Sequence, residues 1–90
     1  MKLNTSSFQT TVLMVGVPRE LDAKSVCAEI YHVIPDGYPM PPLKDGISVS
    51  TGALGEYLEN TKISDKKLAE FFQAVLAHQP QPDEFMFVTE

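Results

Sequence analysis

The segment Pro35-Asp36-Gly37-Tyr38-Pro39-Met40-Pro41-Pro42-Leu43-Lys44-Asp45-Gly46 constrains this chain more than any other stretch, because four of its seven prolines and two of its five glycines fall there. Proline lacks the amide that a helix interior or a sheet ladder needs, so neither a helix nor a central strand can run through it. Pro41-Pro42 favours an extended, polyproline-like path from which Tyr38, Met40 and Leu43 project separately. A loop this long inside a compact domain is uncommon and often functional. Regular structure must be built on either side of it.

Before the loop, Phe8 to Val17 reads as a strand rich in Thr and Val, closed by Gly16 and Pro18. Both alternating sets are apolar, Val12 and Met14 on one face and Leu13, Val15 and Val17 on the other, which predicts a strand that is central or covered on both sides. Asp22 is placed to cap a helix running to Ile34, with Val26, Ile30, Val33 and Ile34 on its buried face and Lys24, Ser25 and Glu29 toward solvent. Pro35 ends it, since the residue before proline is pushed out of helical geometry.

After the loop, Ile47 to Ser50 predicts a short strand. Ser50 or Thr51 can cap a helix to Asn60, which Gly52 and Gly55 weaken. Ser64 is expected to cap the strongest helix, about Asp65 to Ala77 or His78, in which Leu68, Phe71, Phe72, Val75 and Leu76 share one face. Pro80 and Pro82 stop it, and Phe85-Met86-Phe87-Val88 reads as a last strand, paired on both sides or lying at an edge. The expectation is one α+β domain over residues 1–90, with about three strands packed by about three helices in the order β-α-loop-β-α-α-β.

Size and charge narrow the function. A chain of 90 residues buries only about 60–65% of its unfolded surface, which leaves little room for a deep enclosed active site and excludes a two-domain enzyme. Twelve acidic residues against seven basic ones give a net charge of −5. That balance argues against non-specific phosphate binding, which needs clustered Lys and Arg. Cys27 stands alone, so no intramolecular disulfide can form, and a reducing, cytoplasmic setting is expected. Met1 to Thr11 is polar, and the longest apolar run, Val12 to Val17, is too short to span a bilayer, so neither an export signal nor a membrane span is expected.

Candidate chemistry is sparse. Cys27 and His32 lie five residues apart on the first helix, hence about 140° apart around its axis, too far for a thiolate and its base to meet. His78 sits where an imidazolium would interact with the last helix carbonyls. Two separated histidines and one cysteine give no metal-ligand spacing. Asp83 with Glu84, or Glu56 with Glu59, reads as solvated surface rather than as an acid–base pair. There is no nucleotide-binding glycine motif and no serine elbow. The sequence therefore predicts no enzyme, no cofactor and no metal.

Surfaces for partners are better represented. Tyr38, Met40 and Leu43 on the stiff loop would lose little entropy on docking, which suits interface anchors, although the same side chains could fold back over the core. Lys62, Lys66 and Lys67 form a small basic cluster, beyond which the charged residues are Glu70, Asp83, Glu84 and Glu90. A surface so divided suits steering toward a charged protein face. The last two helical patterns, joined by a short turn, also invite a helix-turn-helix reading, but after Lys67 the second offers mainly Glu70 and Gln73 to base edges.

Pro42-Leu43-x-x-Gly46-Ile47 followed by Ile63-Ser64-x-x-x-Leu68 resembles part of the ProQ/FinO family of RNA chaperones over about 27 residues. The resemblance implies RNA duplex binding; the family's downstream arginine and tyrosine pattern is not matched after Leu68. The sequence thus points first to a non-enzymatic acidic regulator or inhibitor that binds a larger protein, through Tyr38, Met40, Leu43, Lys62, Lys66, Lys67, Asp83 and Glu84. The alternative is a nucleic-acid-binding regulator using the C-terminal helix pair and the three lysines. An enzyme using Cys27 or His78 comes third, and a structural subunit that forms a homodimer through a strand edge is the fourth option.

Overall fold

The computed structural model describes residues 10–34, 37 and 42–89. Their elements run β1 (Val12–Gly16), α1 (Ala23–Val33), a single 3-10 turn (Leu43–Asp45), β2 (Ile47–Ser50), α2 (Thr51–Asn60), α3 (Lys66–Leu76) and β3 (Glu84–Val88). The α+β order matches the one expected. Tyr38 and Met40 lie outside the described residues.

Local chemistry explains the helix ends. The Asp22 carboxylate accepts from the Lys24 amide at 3.1 Å and from the Ser25 hydroxyl, satisfying free donors of the first turn of α1. Ile34 closes that helix by donating its amide to Ile30, immediately before Pro35. The Ser50 hydroxyl accepts from the Ala53 amide and starts α2 directly at the end of β2. The cap of α3 is Asp65, which accepts from the Leu68 amide at 3.1 Å, and not Ser64 as expected. Either side chain can cap; the helix starts one residue later, and a carboxylate there also favours the positive end of the helix dipole.

The three strands form one mixed sheet in the order β1-β3-β2, with β1 parallel and β2 antiparallel to β3. The last strand is therefore central, bonded on both sides, and cannot serve as an edge. Its neighbours β1 and β2 are the two edge strands, and the place of β1 corrects the expectation that it lies centrally or is covered on both faces. Register places Leu13 and Val15 opposite Phe85 and Phe87, with Val49 and Ile47 on the far side, and this set forms the inner face. Against it pack Val26 and Ile30 of α1, Leu54 of α2, and Leu68, Phe72 and Val75 of α3, all buried. Phe87 is the aromatic centre, with the Phe72 and Phe71 rings edge-on at 5.8 and 6.1 Å. Such geometry adds to the burial of area itself.

Leu43 does not project from the loop. The 3-10 turn directs it into the core, where it is 7% exposed, so it packs rather than serving as a surface anchor. Of the residues that carry the ProQ/FinO resemblance, Leu43, Ile47 and Leu68 are core, Ile63 packs against it, Pro42 and Ser64 are exposed, and Gly46 adopts φ +91°, a conformation open mainly to glycine.

Candidate functional site

The outer face of the sheet carries Val12, Met14 and Gly16 of β1, Glu84, Met86 and Val88 of β3, and Ser48 and Ser50 of β2. Among the described residues the helices all serve the inner face. Met14 is 66% exposed and Val12 46%, two of the most exposed large apolar side chains among these residues. Met14 and Met86 are register partners, which sets two adaptable, polarizable side chains next to each other on an open surface.

The backbone of β1 is open as well. Thr11 accepts from the Glu84 amide, and the Val17 amide donates to the Val88 carbonyl at 2.9 Å. Because peptide groups alternate in direction along a strand, Leu13 and Val15 also turn their amides and carbonyls toward β3. Val12, Met14 and Gly16 turn theirs the other way, and none of these groups has a partner among the described residues. Sheet edges are normally protected by a charge, a proline or a bulge. The sequence Val-Leu-Met-Val-Gly has none of these.

Beside this edge lies an open groove of about 370 Å³, in which Leu13 and Val15 of β1 face Phe71 and Ala74 of α3, with His78 at the end. The His78 ring contacts the Pro80 carbonyl at 3.2 Å rather than the carbonyls ending its own helix. At the start of β1, the Asp83 carboxylate accepts from both the amide and the hydroxyl of Thr11, at 2.9 and 2.8 Å. Those bonds, the amide first, hold its carboxyl below the usual carboxylate range. Residue 83 is also tied to α2, since its carbonyl accepts from the Thr51 amide. Asp83, expected as a partner contact, thus aligns β1 with β3 and leaves a fixed negative charge at one end of the open edge.

The other expected residues fall in different places. Lys62, Lys66 and Lys67 are exposed around the start of α3, while Glu84 lies half-buried on the outer sheet face. Cys27 packs against the core, and exposed His32 stacks on Tyr57 with ring centres 6.1 Å apart, so the two side chains have different neighbours. Glu29, expected in solvent, is half-buried because it accepts the Tyr57 hydroxyl from α2. Burial first, and then the Glu29 carboxylate, push the Tyr57 phenol up to about 12. This clasp between α1 and α2 had no signal in the sequence, since neither helix pattern says which partner its half-polar flank meets.

Among the described residues, no three His, Cys, Asp or Glu side chains gather where they could hold a metal ion. None of the helices there is long and apolar enough to cross a membrane. Comparison with known protein families, with curated proteins and with solved structures finds no match.

Proposed function

We propose that this chain is a small acidic protein-binding domain of the cytoplasm, non-enzymatic, which regulates or inhibits a larger protein by occupying one of its faces. It takes hold of that protein by adding a partner strand to β1. The observation that carries this reading is the uncharged edge, where Val12, Met14 and Gly16 present backbone donors and acceptors next to exposed apolar side chains. Strand addition draws affinity from main-chain hydrogen bonds and specificity from alternate side chains, and it needs no enclosed pocket. Tyr38 and Met40 of the proline-rich segment, which lie outside the described residues, are proposed as further contacts on the strength of the sequence alone. Nucleic-acid binding through Lys62, Lys66 and Lys67 has less support, because beyond Lys67 the exposed positions of α3 are Glu70, Gln73 and Ala74.

The test is affinity capture with nuclease present, comparing the native chain, Met14→Pro, and a triple Lys→Glu change at 62, 66 and 67. The Met14 amide faces away from β3, so proline there removes an outward donor and leaves the internal ladder intact. A stoichiometric protein lost only with Met14→Pro is the expected result. Capture that survives Met14→Pro and fails with the lysine reversal would overturn it.

A further inference from the structure

The groove between β1 and α3 and the charges around it define the chemistry of the strand that β1 receives. An incoming strand alternates its side chains, so one set lies over the outer sheet face beside Val12 and Met14, and the other turns into the groove. There it meets Leu13, Val15, Phe71 and Ala74. Ala74, small and exposed, leaves the wall of α3 low at this point. The complementary side chains are apolar and compact.

Charge supplies the second half of the argument. Around the edge and groove stand Glu70, Asp83 and Glu84, while the nearest basic residues on the helix that walls the groove, Lys66 and Lys67, lie in its first turn, away from Ala74 and His78. Asp83 and Glu84 stand together at the start of the edge, with Asp83 fixed by Thr11. A second copy of the chain is a poor occupant, since its own β1 brings no positive charge and each copy carries −5. A basic residue in the incoming segment meets the Asp83–Glu84 end of the edge with opposite charge.

We infer that the strand received at β1 is an extended, basic segment of a larger protein, alternately apolar, with compact apolar side chains set into the β1–α3 groove and Lys or Arg facing Asp83 and Glu84. The inference rests on the strand-addition reading and fails separately from it. The probe is a random peptide library displayed on phage, selected on the full chain and then assayed as synthetic peptides by fluorescence anisotropy against the native chain, Met14→Pro and Ala74→Phe.

The expected peptides alternate Val, Ile or Thr with other residues and are enriched in Lys and Arg. They should weaken by at least about tenfold with Met14→Pro, with Ala74→Phe, and when their basic residues are changed to Glu. Peptides that bind Met14→Pro as well as the native chain would overturn strand addition itself. Peptides that need the open edge but are acidic or neutral would overturn the charge assignment alone, and no enrichment at all would overturn the inference. Circular dichroism checks that each variant folds. Should Met14→Pro unfold, methylation of alternate peptide amides replaces it: blocking one alternate set must abolish binding and blocking the other must spare it. Dimerisation of the chain that is abolished by blocking the edge would make a second copy the occupant and overturn the basic-partner assignment.

Discussion

The two faces of the sheet should respond to substitution in opposite ways, and Phe87→Leu against Met14→Ala measures the difference. Phe87 is fully buried in the central strand, with the Phe71 and Phe72 rings of α3 packed edge-on against it. Leucine keeps much of its apolar volume but removes both ring contacts, each worth about 0.5–1.5 kcal/mol, so the expected loss is about 1–3 kcal/mol. Met14 is 66% exposed. Full burial of a methionine is worth about 1.5–3 kcal/mol, so covering only a third of it contributes about 0.5–1 kcal/mol at most. In urea titrations followed by far-ultraviolet circular dichroism, with a slope near 1 kcal/mol per molar for a chain this small, the Phe87 variant should lose about 1–3 M of midpoint and the Met14 variant under about 1 M. Equal shifts, or a larger loss for Met14→Ala, would refute the assignment of an inner, packed face and an outer, open one.

Other predictions follow from single residues. The folded-state carboxyl of Asp83 titrates below its ordinary range, so its contribution is present at neutral pH and is lost as the pH falls through the acid range; Asp83→Asn should flatten the acid limb of stability against pH, measured by thermal unfolding between about pH 2 and 6. The phenol of Tyr57 is raised, so the fold favours its neutral form. That contribution is complete below the ordinary tyrosine range near 10 and is lost as the pH passes about 12, and the 295 nm titration of the native chain minus that of Tyr57→Phe should show a step centred there. A Cβ at Gly46 would come within 3.0 Å of the Met86 sulfur and 3.2 Å of Val88 Cγ1, at φ +91°, whereas one at Gly55 meets nothing within 4 Å. Gly46→Ala should therefore destabilise by about 1–3 kcal/mol and Gly55→Ala stabilise by about 0.5–1 kcal/mol in the same urea assay, the second through helix propensity alone.

Local features of this fold are readable along the chain, and non-local ones are not. The Asp22 and Ser50 caps, the stop at Pro35 and the apolar face of α3 each depend on residues a few positions apart. The place of β1 in the sheet depends on pairing with β3, near the other end of the chain, and on Thr11 meeting Asp83 across 72 positions. An alternation that is apolar on both faces describes a covered central strand and an unprotected edge equally well. The periodicity of β1 therefore concealed the open edge. Leu43 misled for a related reason: proline flanks suggest projection, but one 3-10 turn is enough to carry the side chain inward. Asp83 looked like free charge because its partner, Thr11, is distant in sequence.

Amide hydrogen exchange along β1, read by NMR with and without a captured partner peptide, tests the open edge most directly. The amides of Leu13, Val15 and Val17 should be protected in the free protein, and those of Val12, Met14 and Gly16 should exchange fast and become protected only when the peptide is bound. Protection of all six in the free protein, or a bound peptide that leaves Val12, Met14 and Gly16 exchanging unchanged, would contradict strand addition at β1.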